Sequence, residues 1–245
     1  MNYDRYYFSP GEWLRVVGEY LILNASLSFL FFDSMTVFAF GWIGLIPYCR
    51  YRRGTFREKR QRILKDQFLA LIAAIAGKTN AGMSPEHAFT DAVSDMERIF
   101  GRDAPVVTEL KQMSVKQAHG ETLEACLKDL GNRSGIDDIH EFAQIFSIAR
   151  QNSGRMRSVI DDTARMMQEK NETEAEIYVL LSGKKLEQKI MCVIPLLIIA
   201  YLRLEADRFM GVLYHNPLGI TVMSICLIVY VAAYFMGERI VRITV

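Results

Sequence analysis

The sequence predicts an all-α membrane protein: a six-helix antiparallel cytoplasmic bundle flanked by N- and C-terminal transmembrane helical hairpins. Three observations carry this. Charged residues make up 23% of the 245-residue chain, yet most of them lie between Arg50 and Lys189. Basic clusters stand where apolar runs end, at Arg50–Arg62, at Lys184, Lys185 and Lys189, and at Arg239–Arg242, and a cationic flank marks the cytoplasmic side of a span. Between the ends, apolar residues recur at helical spacing and never alternate as a strand would. The expected division is 1–50 as an N-terminal membrane hairpin, 51–188 as a cytoplasmic helical domain, and 189–245 as a C-terminal hairpin with a short cytoplasmic tail.

Ser9-Pro10-Gly11-Glu12 opens the first helix, with serine at the N-cap, proline at the first helical position and glutamate at the third. No basic segment precedes it between Met1 and Phe8, so no signal peptide is expected. An apolar run follows from Tyr20 to Phe32, then Asp33-Ser34, then an uncharged run from Met35 to Cys49. Each half is short for a span of about 20 residues. Two arrangements fit: a tight hairpin with Asp33-Ser34 at its far tip, or one tilted span from about Phe29 to Cys49 with the N-terminus outside. The hairpin keeps Asp33 away from the bilayer centre, where a charge costs a few kcal/mol.

Seven basic residues follow between Arg50 and Arg62. Arg57, Lys59, Arg60 and Arg62 are candidate contacts for a partner or for anionic lipid headgroups. Amphipathic helices then succeed one another. Phe68, Leu71, Ile72 and Ile75 mark the first, which stops near Gly82. Ser84-Pro85-Glu86 starts the second, with Phe89, Ala92, Val93, Met96 and Ile99 on one face. Pro105 starts a third, bearing Val107, Leu110 and Met113. Leu123, Cys126, Leu127 and Leu130 form a fourth. Asp137-Asp138 opens a fifth, with Ile139, Phe142, Ala143, Phe146 and Ala149 turned inward, and it ends at Asn152-Ser153-Gly154. A sixth begins near Arg155. Short links between amphipathic helices imply antiparallel neighbours.

The sixth helix carries a polar stretch, Gln168 to Glu176, that serves as a solvated connector or a partner surface. Ile190–Leu202 is apolar but short, with Lys189 and Arg203 able to snorkel to the headgroups. Arg203–Arg208 is polar, and Pro217–Gly237 is uncharged and long enough to span. A helix from Arg155 to Leu202 would reach roughly 70 Å at 1.5 Å per residue. It would turn a push on the bundle into movement in the membrane, with Gly154, Gly183 and Pro195 as candidate coupling positions.

Catalytic patterns are incomplete. His140-Glu141-Phe142-Ala143-Gln144 has glutamine where a zinc helix needs its second histidine. Asp137-Asp138-x-x-Glu141 has as acidic counterpart only Asp161-Asp162, which Arg165 follows, and helix capping accounts for the aspartates more simply. There is no phosphate-binding loop, so an ATP-driven role needs a separate motor. His87, His119 and His215 share no motif. Cys49, Cys126, Cys192 and Cys226 lack metal-ligand spacing and read as small apolar residues in a reducing compartment. Asn132-Arg133-Ser134 matches a glycosylation sequon that has no meaning on a cytoplasmic loop. A net charge of +1 argues against nucleic-acid binding. No catalytic residue, cofactor or metal is expected, and the alternative is a membrane-anchored enzyme or sensor.

Three stretches carry a resemblance: Gln67–Leu71 through Asn80-Ala81-Gly82-Met83-Ser84-Pro85-Glu86-His87-Ala88; Glu141-Phe142-Ala143 through Ala149–Gly154; and Gly183-Lys184-Lys185-Leu186-Glu187-Gln188-Lys189-Ile190-Met191 to Pro195. In order and spacing they resemble the type II secretion F family, and within it the TadB-like platform proteins of tight-adherence (Flp) pili. A single cytoplasmic domain favours that branch over the two-domain general-secretion members. The resemblance implies a non-enzymatic, multi-pass platform in the bacterial inner membrane. It would couple a cytoplasmic secretion ATPase (TadA-like) to extraction and polymerisation of pilin from its prepilin pool. It would work as a homo- or hetero-oligomer beside a sister platform subunit (TadC-like), the role this chain would fill if it belongs to that side.

Overall fold

The computed structural model describes residues 3, 10–32, 42–151, 156–205 and 216–241. Among these there are eight α-helices, one short 3-10 turn at Trp42–Gly44 and no strand. The helices are α1 Pro10–Phe31, α2 Leu45–Asn80, α3 Pro85–Phe100, α4 Pro105–Ala118, α5 Leu123–Ser134, α6 Asp137–Gln151, α7 Met156–Glu205 and α8 Pro217–Val241. Contacts divide the chain into two compact units. One holds Tyr3 with Arg53–Glu172, and the other holds the described parts of Phe8–Arg52 and Thr173–Val245.

The first unit closes around one apolar core to which α2 to α7 all contribute. The periodic faces land there: Phe68, Leu71, Ile72 and Ile75 of α2, Val107, Leu110 and Met113 of α4, all four expected residues of α5 and all five of α6 are buried. Stacked aromatics bind the layers, with Phe142 edge-on to Phe68 at 5.5 Å and 5.9 Å from Phe146, which in turn meets Phe89 at 6.2 Å. Such pairs add about 0.5–1.5 kcal/mol beyond their buried area. Ile99 departs from expectation and is 63% exposed. It sits at the rim of the apolar arc in the last turn of α3, past the point where the core reaches.

Helix ends are satisfied partly within and partly across elements. The Ser84 and Thr122 hydroxyls accept the His87 and Ala125 N–H groups at 3.4 and 3.3 Å, capping α3 and α5. α4 has Ala104 at its N-cap and no side-chain cap of its own. The Val106 N–H instead donates to Gln67 Oε1 of α2 at 3.1 Å. α5 stops at Gly135, whose φ of 62° lies in the left-handed region. The Ser134 and Gly135 carbonyls accept from Gln61 Nε2 at 2.8 and 3.2 Å. α5 and α6 approach closely at Gly131, where a Cβ would lie 3.1 Å from the His140 Cα.

In the second unit, α1 and α8 are long and apolar enough to cross a membrane. α1 begins at Pro10, the first helical position expected from Ser9-Pro10-Gly11-Glu12, and runs 22 residues to Phe31, well beyond the apolar run from Tyr20 alone. The Asp33-Ser34 tip lies outside the described residues. Within this unit the first turns of α2 meet α1: Arg52 pairs with Glu19, and the Tyr20 and Tyr48 rings are 5.1 Å apart. Arg203 of α7 lies 3.6 Å over the Phe29 ring and donates to the Phe29 carbonyl, one of the last in α1.

Candidate coupling and docking residues

The four basic candidates share α2 but not one environment. Lys59 and Arg62 are exposed, whereas Arg57 and Arg60 are half-buried. The difference follows from the helical repeat. Positions 57 and 60 continue into Leu64, Gln67, Phe68 and Leu71, the face α2 turns to the core, and 59 and 62 lie on the opposite side. The Arg60 guanidinium lies 5.5 Å over the Tyr3 ring. The accessible part of this cluster is therefore centred on Lys59 and Arg62.

Of the coupling candidates, Gly154 lies outside the described residues. Gly183 and Pro195 both lie inside α7, which runs unbroken for 50 residues. No atom comes within 4 Å of where a Gly183 Cβ would stand. Pro195 withdraws a donor from the Met191 carbonyl of the helix ladder. Beside it, the Tyr230 hydroxyl of α8 donates to the Cys192 carbonyl at 2.9 Å, supplying a donor where the ladder is weakest. Gln188 packs against Gly237 of α8, so two contacts one turn apart tie these helices.

The structure adds residues that no spacing rule identified. Asp138, read from sequence only as a capping residue, is 6% exposed. Its carboxylate meets Lys65 of α2 at 2.8 Å and Lys170 of α7 at 2.5 Å. It therefore joins, in the first unit, the two helices that also extend into the second. Burial alone would raise the Asp138 carboxyl, but hydrogen bonds from Lys170 and Lys65 hold it below its ordinary range. Asp161 of α7 accepts from Asn80 of α2 at 3.0 Å, a second link between the same helices.

A further polar network lies between α4 and α5. Glu109, 1% exposed, receives the Arg133 guanidinium on both oxygens, at 3.2 and 2.8 Å. Arg133 also meets Asp129 at 2.9 Å, and Lys116 reaches Asp129 at 2.7 Å. A buried carboxylate with a bidentate arginine is compensated, and its loss would strand a charge. Tyr3 lies beside this network, where burial first, then the Glu109 charge, push its hydroxyl far above the ordinary value.

His140 and Gln144, the start of the zinc-like pattern, face each other at 2.8 Å between side-chain nitrogens. Among the described residues no group of three or more His, Cys, Asp or Glu is placed to hold a metal ion. The arrangement offers charge clamps, a long helix and an exposed basic pair.

Residues 59–202 match the family model described as type II secretion system (T2SS), protein F. That span runs from Lys59 on α2 to Leu202 on α7, takes in every core residue except Tyr3, and covers more than half of the chain. No curated protein and no solved structure matches the chain.

Proposed function

The chain belongs to the type II secretion system protein F family, and from that premise we propose that it is the TadB-like inner-membrane platform of a tight-adherence pilus machine. Family membership makes it a component of a secretion or pilus-assembly platform in the membrane. The proposal goes further. The domain of α2 to α7, read as an antiparallel six-helix bundle, faces the cytoplasm and docks a secretion ATPase. A sister subunit of TadC type stands beside it, pilin is drawn from the membrane, and this chain turns over no substrate.

The observation that carries this reading is the continuity of α7. It leaves the core at Ile160, Thr163 and Met167 and continues without a break through Lys184, Lys185 and Lys189 into the apolar segment before Arg203. A helix stiff along its length passes a displacement from one end to the other. Asp138 and Asp161 tie it to α2 before it leaves the core, so the two helices move together.

The test is co-purification in lipid nanodiscs with the secretion ATPase of the same organism. The full-length chain should retain the ATPase and hydrolyse no nucleotide by itself. Lys59→Glu with Arg62→Glu should weaken capture at least tenfold while the chain stays inserted, because exposed charges contribute little to stability. Turnover of a substrate by the chain alone would sink the proposal. Unchanged capture by the double variant would move the docking site elsewhere on the domain.

A further inference from the structure

We infer that Tyr3 plugs a socket on the cytoplasmic domain and thereby makes the N-terminal membrane region a two-crossing hairpin. Tyr3 is 2% exposed and belongs to the domain's core. Its N–H donates to the Arg133 carbonyl at 3.0 Å, near the end of α5. The last four carbonyls of a helix lack donors of their own. At the end of α5 the Arg133 carbonyl accepts from Tyr3 and the Ser134 carbonyl from Gln61, two donors from different segments. The ring lies beneath the Arg60 guanidinium, 5.5 Å away, and beside the Glu109–Arg133 pair. A backbone bond, a stacked cation and near-complete burial together describe a built site for one aromatic side chain.

The consequence is a matter of parity. Tyr3 and Arg53–Glu172 belong to one compact unit, so they lie on the same side of any membrane the chain crosses between them. The chain therefore crosses an even number of times between Tyr3 and Arg53. α1 is one crossing by length and composition. With α1 as one crossing, an even count requires a return before Arg53, and the sequence from Ser34 to Cys49 is uncharged. The contacts of α1 agree, since Glu19 and Tyr20 meet Arg52 and Tyr48 on the returning chain. The alternative, a single span from about Phe29 to Cys49, would leave Tyr3 across the membrane from its socket.

This inference rests on the membrane reading of α1 and is independent of the ATPase. A short protease-cleavable epitope tag is placed before Met1 of the full-length chain, and intact spheroplasts are treated with external protease. The tag should survive until the membrane is permeabilised; cleavage in intact spheroplasts overturns the hairpin and leaves the platform proposal standing. In the purified full-length protein, Tyr3→Ala should lower the thermal midpoint by about 5 °C or more, while Tyr3→Phe, which keeps the ring, should stay within about 2 °C of the parent. A Tyr3→Ala midpoint equal to the parent's overturns the socket.

Discussion

At the start of α6 a carboxylate with 6% of its surface exposed survives because lysines from two other helices reach it. The two partners are unequal. The Lys65 side chain is 17% exposed and the Lys170 side chain 51%, so solvent screens the second contact more. Asp138→Ala should therefore cost about 2–3 kcal/mol, mostly through loss of the less exposed Lys65 contact. The pH dependence follows from the direction of the shift. The folded carboxyl titrates below its unfolded value of about 3.9. Its contribution is complete above that value and is lost as pH falls through the lower folded one. Asp138→Asn should be less stable than the parent at pH 7, with the difference shrinking below about pH 4 in urea unfolding curves. A gap that stays constant to pH 2 would mean the lysines do not hold the charge. Nothing in the sequence pairs Lys65, Asp138 and Lys170, because helical spacing reports neighbours one turn apart and these residues meet only through tertiary packing. Tyr3 was unreadable for the same reason.

At the scale of the element, the buried faces were legible because large apolar side chains repeating every 3.6 residues line up along one side of a helix, where only a core can cover them. Phe142, packed between Phe68 and Phe146, was among those predicted, and Phe142→Ala should cost about 3–5 kcal/mol. Ile99, exposed at the end of α3, should accept glutamate with a change within about 0.5 kcal/mol. Chemical denaturation of both variants checks the pair, and equal losses would mean that α3 is rotated about its axis. Helix ends were less legible. Ser84 and Thr122 cap as serine and threonine commonly do, but α4 takes its donor's partner from Gln67, a residue whose polar side chain on a buried face gave no local hint of its use. The same limit applies to the basic cluster, where sequence gives the charge but only packing separates Lys59 and Arg62 from Arg57 and Arg60.

At the scale of the whole molecule, the uneven placement of charge separated apolar ends from a helical middle, and the family match spans that middle. The sequence left open whether its N-terminal apolar region crosses once or twice, since the answer depends on one tyrosine packing far along the chain. It also named Gly183 and Pro195 as candidate coupling positions, and α7 passes through both as one helix. The functional proposal depends on that continuity, and Gly183 is where it is most cleanly tested, because the space around it is open. Alanine there should stiffen the helix by about 1 kcal/mol, and proline should break the ladder at a cost of about 3 kcal/mol. The decisive measurement is pilus assembly in cells carrying each variant with its natural partners, alongside membrane insertion and ATPase retention. Gly183→Ala should assemble pili, while Gly183→Pro should insert and retain the ATPase yet assemble fewer than a tenth as many. Normal assembly by an inserted Gly183→Pro protein would contradict transmission through α7.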